Sequence, residues 1–239
     1  MHTDSLINQL RRNLGKLQDY FFPKNCLNCN KEGSWICESC KDSLFYIDAQ
    51  FCPFCGELTE LFNVCKRCQE KTKIKKVFPL LKYSDSLVQK IIKSFKYRYL
   101  QDIVEDLAPT IRKFLLKYNT LVEVKEETAI IPVPLFWYKK CSRGFNQAEE
   151  LAEIVGKTLN LKIEKDIVIK NKKSKNQADV EFEKRFSNLK GVFSLRRKAP
   201  KNVIIIDDVF TTGSTVGEIA NILTANGTEN IQVITLARG

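Results

Sequence analysis

A short segment near the carboxyl end of the chain combines two adjacent acidic residues with a run of small hydroxyl residues. It reads VIIIDDVFTTGSTV over Val203–Val216, and Asp207 and Asp208 directly follow the apolar run. The backbone N–H groups of such a loop, at the start of a helix, can bind a phosphate. The two carboxylates can accept hydrogen bonds from the vicinal hydroxyls of a ribose. The segment therefore predicts a sugar-phosphate site, with the phosphate held by Thr211, Thr212, Gly213, Ser214 and Thr215.

The same segment is not the common P-loop. A P-loop requires a lysine in the pattern GxxxxGK[ST], and that lysine is absent here. A helix is expected over Thr215–Ala225, capped by Ser214 or Thr215, because Thr215 and Glu218 have capping-box spacing. The positive end of this helix would then lie at the phosphate.

Cysteine spacing gives a second chemical signal. Eight of the nine cysteines form four CxxC pairs within a short stretch of the chain. A two-residue spacer brings both sulfurs to the bite distance of a tetrahedral Zn²⁺, and four thiolates form a closed structural site. We expect two zinc sites, in sequential or cross-braced pairing, held by Cys26, Cys29, Cys37, Cys40, Cys52, Cys55, Cys65 and Cys68. The ninth cysteine, Cys141, is interpreted as a small hydrophobe or an exposed thiol.

Composition limits the class of protein. The chain has 239 residues, 44% of them hydrophobic, and a formal net charge of +11. It can therefore bury a core, and no stretch approaches the roughly 20 apolar residues of a spanning helix. The first residues lack the apolar segment of a secretory signal, so we expect a cytoplasmic protein, in which cysteines bind metal rather than form disulfides.

Apolar periodicity predicts the elements that would position these residues. One strand or a pair of short strands is expected at Val77–Tyr83, and further strands are expected at Ala129–Val133, Ile163–Ile169, Gly191–Leu195, Asn202–Ile206 and Ile231–Ala237. Further helices are expected at Ser86–Tyr118, with a break or a new start at Pro109, and at Gln147–Leu159. The alternation predicts an α/β fold, with a mostly parallel sheet and helices on both of its faces.

The first 22 residues carry an apolar stripe with basic neighbours. The stripe predicts an amphipathic helix with an apolar face of Leu6, Leu10, Leu14, Leu17 and Phe21. This helix packs on its own protein or, as the alternative, lies on a membrane surface or against a partner. The predicted organisation is thus an amphipathic helix (1–22), a double zinc-ribbon module (23–76) and a main domain (77–239).

Several motifs resemble one protein family. DDVFTTGST at 207–215 resembles the signature of type I phosphoribosyltransferases for 5-phosphoribosyl 1-pyrophosphate (PRPP). Further motifs are similar to those of the ComF family of competence-associated, phosphoribosyltransferase-like proteins. They are PVP at 132–134, SRGFNQAEELA at 142–152, the residues Gln177, Arg185 and Asn188, and GVFSL at 191–195. An N-terminal double zinc ribbon also belongs to that family, so the likeness extends from Pro23 to Gly239.

The resemblance implies roles for individual residues. Asp207 and Asp208 would hold the ribose hydroxyls, and residues 211–215 would hold the 5-phosphate of PRPP. The residues that would face the pyrophosphate are Arg143, Gly144 and Asn146. Asp207, Asp208 and Arg143 would be the residues involved in any catalysis, and Mg²⁺ would bridge pyrophosphate and ribose oxygens. This sequence has KKC before Ser142 and Arg143, where another arginine is expected.

The resemblance also implies a mobile flap over the ligand, at Asn171–Asn188. The stretch from Lys165 to Lys201 carries twelve basic and four acidic residues, which is +8 of the total +11. We interpret this charge either as an ordinary solvated loop or as a flap that attracts polyanions toward the phosphate site.

DNA uptake and natural transformation are the function that the resemblance implies, with PRPP and single-stranded DNA as ligands. Candidate DNA-binding residues combine cations with an aromatic ring for base stacking and are Lys93, Lys96, Tyr97 and Arg98. Partners would be DNA-uptake proteins at the inner face of the membrane. The alternatives are a phosphoribosyltransferase that acts on an unknown base-like acceptor and a regulator that senses PRPP without consuming it. Whether the protein is an enzyme stays open.

Overall fold

The computed structural model of the protein describes residues 23–97, 103–171 and 191–239. The chain forms two compact units, one ending at Leu44 and the other beginning at Phe45. Several predicted features lie outside the described residues. These are the helix over residues 1–22, the flap from residue 172 onward, Arg98 and the side chain of Tyr97.

The unit that ends at Leu44 is organised around the first four cysteines. The backbone N–H of Asn30 donates to the carbonyl of Cys26 at 2.9 Å, and Asn30 has a left-handed φ of 64°. The second CxxC pair lies at the start of a short helix, α1 (Glu38–Asp42), and Cys37 is its N-cap residue. Each CxxC pair is therefore held in a tight backbone turn.

The unit that begins at Phe45 is built on a sheet. Its strands are β1 (Lys76–Lys82), β2 (Thr128–Pro132), β3 (Lys162–Ile163), β4 (Val168–Lys170), β5 (Phe193–Leu195), β6 (Asn202–Phe210) and β7 (Asn230–Arg238). The main sheet has the spatial order β1–β7–β6–β2–β3, and all neighbouring strands in it run parallel. Strands β4 and β5 form a separate antiparallel pair.

Helices cover both faces of the main sheet. The described helices of this unit are α2 (Lys66–Thr72), α3 (Ser86–Tyr97), α4 (Ile103–Lys117), α5 (Trp137–Arg143), α6 (Gln147–Leu159) and α7 (Ser214–Ala225), and α5 buries none of its residues. On one face Ile205 of β6 shares a core cluster with Ile219 of α7. On the other face Ile206 lies near Ile111 of α4 and Leu151 of α6. A strand buried on both faces reads as a continuous β-branched run, as 203–206 does, and the predicted α/β fold class is confirmed.

Pro109 neither breaks a helix nor starts one, contrary to the prediction. It lies inside α4, on the exposed side of the helix. The apolar stripe of α4 continues past it, and Ile103, Leu107, Ile111 and Phe114 are at most 1% exposed. Burial of this stripe outweighs the one backbone hydrogen bond that a proline removes.

The single strand predicted over Ile163–Ile169 is also wrong, because the structure divides it into β3 and β4. Residues 165 and 166 form a turn between them. The carboxylate of Glu164 accepts from Lys162 and Arg197, both at 2.6 Å, so the charged middle of the segment faces other side chains rather than continuing a strand. Within the described ranges, no helix has both the length and the apolar content that crossing a bilayer demands.

Candidate functional site

The predicted phosphate-binding loop connects β6 to α7. Gly213 has a left-handed φ of 72° and is the N-cap residue of α7, which begins at Ser214. The predicted side-chain cap by Ser214 or Thr215 is wrong, since the helix starts earlier and its cap residue has no side chain. The hydroxyl of Ser214 instead shares a hydrogen bond of 2.7 Å with the hydroxyl of Thr212.

The loop and the first acidic residue line one open pocket. Its lining consists of Asp207 and residues 209–216. Hydroxyl oxygens, the first amides of α7 and a carboxylate therefore border the same space. Such a pocket can hold a ligand that carries both a phosphate and sugar hydroxyls.

Asp207 and Asp208 are consecutive residues near the carboxyl end of strand β6, close to the loop. The backbone N–H of Asp208 donates to Oδ1 of Asp207 at 2.9 Å. Burial raises the pKa of Asp207 from its usual 3.8 to about 7, and the adjacent charge of Asp208 acts in the same direction. Asp207 therefore changes its protonation state near neutral pH, the pH range in which a ligand would bind.

Lys96 lies at this acidic pair. Its Nζ is 2.7 Å from Oδ2 of Asp208, and the two side chains are only 24% and 15% exposed. Burial opposes the charge on Lys96, but the attraction of Asp208 and Asp207 together outweighs burial and raises the lysine pKa. The structure thus brings Lys96 to the acidic pair, whereas Lys93 on the same helix is exposed. DNA binding by these residues stays a prediction.

Asn146 positions the segment that links α5 to α6. Its side chain is buried, and its Nδ2 donates to the carbonyl of Val133 at 3.0 Å. Its Oδ1 accepts from the backbone N–H of Ala148 at 3.1 Å and so caps α6. The structure gives Asn146 this structural role, and its contact with a pyrophosphate stays a prediction.

Gln147 connects Arg143 to helix α3, a role that the sequence did not reveal. Its Nε2 donates to the carbonyl of Phe95 at 2.9 Å, and its Oε1 accepts from Nη1 of Arg143 at 3.0 Å. Because Phe95 precedes Lys96, these contacts bring Arg143 toward Lys96, and the positive charge of Arg143 partly opposes the rise in the pKa of Lys96. Gly144 ends α5 with a φ of 78° and is exposed beside Arg143.

Lys170 is a further basic residue whose charge interacts with Asp207, and Lys139 lies close enough to Lys170 for their charges to interact. The pKa of Lys170 is lowered, mainly by burial and further by the charge of Lys139. The charge of Asp207 opposes this shift. The Nζ of Lys170 also lies 5.2 Å from the ring centroid of Phe193. In the sequence, Lys170 contributes to the charge of the flap region and Lys139 belongs to the KKC departure, and neither pattern by itself predicts an anion site. Their charges make both candidates for binding an anionic ligand.

The predicted zinc ligands form two separate groups of four. Within each group all Sγ atoms lie within 4.8 Å of one another, and the groups are Cys26/Cys29/Cys37/Cys40 and Cys52/Cys55/Cys65/Cys68. The Sγ atoms of Cys29 and Cys37 are 3.5 Å apart, and those of Cys55 and Cys65 are 3.6 Å apart. Tetrahedral Zn²⁺ with Zn–S bonds of about 2.3 Å separates its sulfurs by about 3.8 Å. Both groups fit a structural Zn²⁺, and the pairing is sequential.

An exposed aromatic surface, consisting of Phe136, Trp137 and Tyr138, lies at the start of α5. Trp137 is 66% exposed and Tyr138 is 57% exposed. The ring centroids of successive residues are 5.8 Å and 5.9 Å apart. Since α5 follows the carboxyl end of β2, and β2 runs parallel to β6, this surface lies at the same edge of the sheet as the phosphate loop. The sequence signal for this surface is the segment FWYKK at 136–140.

Comparison with known proteins gives matches of three kinds. A family model described as a double zinc ribbon domain matches residues 17–72. The chain is 30% identical to competence protein F of Haemophilus influenzae over 229 residues, which cover 91% of this chain and 98% of that protein. It is 30% identical over 210 residues to DNA utilization protein YhgH of Escherichia coli O6:H1, covering 86% of this chain and 92% of that protein. A hypoxanthine phosphoribosyltransferase from Staphylococcus aureus aligns in structure over 56% of this chain and 64% of that one, with a TM-score of 0.35 and 13% identity.

Proposed function

Because the chain belongs to the family of competence protein F, we propose that it handles DNA during uptake and binds PRPP at the carboxyl edge of its sheet. The names of its relatives, a competence protein and a DNA utilization protein, support the first part. Contact with DNA-uptake proteins at the inner face of the membrane belongs to the same proposal.

The observation that carries the PRPP site is the shared pocket of Asp207 and the loop at residues 209–216. A phosphate at the start of α7 would leave the hydroxyls of a ribose within the reach of a neighbouring carboxylate. Arg143, Lys139 and Lys170 would supply positive charge for a pyrophosphate. Mg²⁺ bound with PRPP would add further positive charge there, and carboxylates such as Asp207 and Asp208 are the oxygen donors that Mg²⁺ prefers.

Calorimetry tests this site directly. Wild-type protein should bind PRPP in the presence of Mg²⁺, and the double variant Asp207→Ala/Asp208→Ala should lose binding because both diol acceptors are removed. Asp166→Ala, which changes an exposed aspartate outside the pocket, should bind as the wild type does. Unchanged affinity in the double variant would refute the site.

Release of pyrophosphate separates transfer from sensing. A phosphoribosyltransferase releases pyrophosphate from PRPP when its acceptor is present, whereas a sensor binds PRPP and leaves it intact. We propose to assay release with single-stranded DNA, with free nucleobases and with neither. A signal that needs one of these additions identifies the acceptor class, and binding without release in every case supports sensing.

The aromatic surface of α5 is our candidate for single-stranded DNA binding. Bases stack on exposed rings irrespective of sequence, and neighbouring lysines attract the phosphates. Trp137 and Tyr138 provide the rings, and Lys139 and Lys140 follow them directly in the helix. The charge of Lys140 is shared with Glu149, whose carboxylate lies 2.9 Å away. The surface therefore combines both features of a single-strand site, at the same sheet edge as the phosphate loop.

Fluorescence anisotropy with a labelled oligo-dT measures this binding. The variant Trp137→Ala/Tyr138→Ala should weaken affinity by at least tenfold, because each stacked base contributes about 1–3 kcal/mol. Lys93→Glu tests the site predicted on α3, and Phe51→Ala, which removes an exposed ring elsewhere, is the control. Wild-type affinity should fall steeply with salt. If Lys93→Glu alone weakens binding, the α5 surface is not the DNA site.

A further inference from the structure

We infer that the second zinc site, formed by Cys52, Cys55, Cys65 and Cys68, sets the position of the phosphate loop, with Phe54 as the contact between them. The affinity for a phosphorylated sugar then depends on the metal in this site. The inference rests on the proposed PRPP site, and it assigns to Phe54 a positioning role that acts through the loop.

Phe54 lies between two of the cysteines, in the sequence Cys52-Pro53-Phe54-Cys55, and packs on the end of β6. Its ring centroid is 5.3 Å from that of Phe210, with an interplanar angle of 79°. This edge-to-face arrangement is favourable for aromatic pairs. Phe54 therefore lies in a backbone segment that begins and ends at a metal ligand, Cys52 and Cys55.

Gly213 shows how closely Phe54 approaches the loop. A Cβ atom built on Gly213 would lie 2.3 Å from Cε1 of Phe54 and 2.7 Å from Cζ of Phe210. No real side chain fits at such distances, so the two rings occupy the space beside the glycine. The loop backbone at the N-cap of α7 thus rests directly against the zinc-binding turn.

The carboxyl end of β7 joins the same turn to β6. Nη2 of Arg238 donates to the carbonyl of Pro53 at 3.3 Å, and the backbone N–H of Gly239 donates to the carbonyl of Phe210 at 2.9 Å. These bonds connect the zinc-binding turn and the end of β6 through Arg238, the last residue of β7, and Gly239, which follows it. A movement of the turn would therefore shift the backbone at Phe210.

The second zinc site also shares the core of the sheet unit. Cys52, Cys65 and Cys68 belong to one buried cluster together with Val216 and Ile219 of α7. A segment with so little core of its own holds its shape through the metal. Loss of Zn²⁺ would release the CxxC turn that carries Phe54, and the amides that must converge on a phosphate would lose their fixed arrangement.

The variant Phe54→Ala tests the contact without touching a metal ligand. It should retain two equivalents of zinc, speed hydrogen exchange at residues 211–216, and weaken PRPP binding about tenfold, as expected for loss of an aromatic contact. Phe54→Leu, which keeps apolar bulk, should restore most of the affinity and slow the exchange again. Phe51→Ala, an exposed ring of the same ribbon, should behave as the wild type in both measurements.

The outcomes separate this inference from the proposed function. If the wild type does not bind PRPP, the proposed function fails, and the exchange rates of Phe54→Ala still decide whether Phe54 positions the loop. If Phe54→Ala exchanges and binds as the wild type does, the inference is overturned while PRPP binding stands. If Phe54→Ala does not fold, the variant Phe54→Leu decides. Hydrogen exchange at residues 211–216 and PRPP affinity equal to those of the wild type support the contact. Exchange as slow as in the wild type together with a loss of PRPP affinity contradicts it.

Discussion

The ammonium group of Lys96 lies 2.7 Å from the carboxylate of Asp208, so the acidic pair on β6 has its own counter-ion from α3. Two adjacent carboxylates repel each other, and burial adds to the cost of charging them. The charge of Lys96 favours ionisation of Asp207 and so limits the rise in its pKa that burial and Asp208 cause. A ribose hydroxyl that binds Asp207 would meet a carboxylate whose ionisation Lys96 favours.

Replacement of Lys96 should therefore change the pH dependence of ligand binding. In Lys96→Met the pKa of Asp207 rises further above about 7, because one of the charges that lowers it is gone. If the ionised carboxylate accepts the ribose hydroxyl, PRPP affinity in the wild type should rise as pH increases through 7. In the variant this rise should occur at higher pH, which calorimetry at several pH values measures.

Lys93→Met is the matched control for that experiment. Lys93 lies on the same helix but is exposed, so its removal should leave the pH profile of PRPP binding unchanged. A profile that shifts equally in both variants would indicate a general effect of net charge and would contradict the local role of Lys96.

Asp207 should also make the stability of the protein depend on pH. Its pKa is about 7 in the folded chain and 3.8 ordinarily, so between these values the folded state binds more protons than the unfolded state. The free energy of unfolding therefore falls as pH rises through this window. Asp207→Asn should melt like the wild type near pH 4 and at a higher temperature at pH 8. Asp166→Asn, at an exposed site, should show no such pH-dependent gain.

Local patterns in the sequence were enough to predict the loop and the cysteine groups. The residues of the loop stand next to one another in the chain, and the CxxC spacing fixes ligand geometry over a few residues. Lys96 shows why the remainder was missed. Its partner Asp208 belongs to a distant strand, and Lys93 and Tyr97 nearby in sequence suggested a DNA-binding helix instead. Only the packing of α3 against the end of the sheet brings the two charges together.

The second zinc ribbon illustrates the same limit. Its cysteines were predicted as part of a separate module over residues 23–76, because spacing identifies ligands and says nothing about what packs on them. In the structure Cys52, Cys65 and Cys68 belong to the core of the sheet unit. The burial of Asn146 and Gln147 could not be predicted from the sequence either. Polar residues within a motif suggest contacts with a ligand before they suggest buried structural hydrogen bonds.

The two zinc sites should differ in their effect on stability. Cys29 and Cys55 are both exposed ligands, but only the second belongs to the unit that contains the sheet. Cys29→Ser should lose one zinc and leave the main thermal transition in place. Cys55→Ser should lose one zinc and lower the melting temperature of the sheet unit, because its neighbouring ligands pack in that core. Metal analysis and calorimetric scans measure both quantities, and equal melting shifts would contradict the distinction.

Gly213→Ala tests the close approach of Phe54 by a second route, with Gly191→Ala as its control. Both glycines have a left-handed φ, 72° and 77°, so both substitutions carry a backbone strain of about 1 kcal/mol. A Cβ at Gly191 meets nothing within 4 Å, whereas one at Gly213 collides with Phe54 and Phe210. Gly213→Ala should lower the free energy of unfolding by about 1–3 kcal/mol more than Gly191→Ala, the usual cost of overpacking. Chemical denaturation measures the difference in the free energy of unfolding. Equal destabilisation by the two substitutions would mean that the rings of Phe54 and Phe210 move aside at no cost, and it would contradict the prediction.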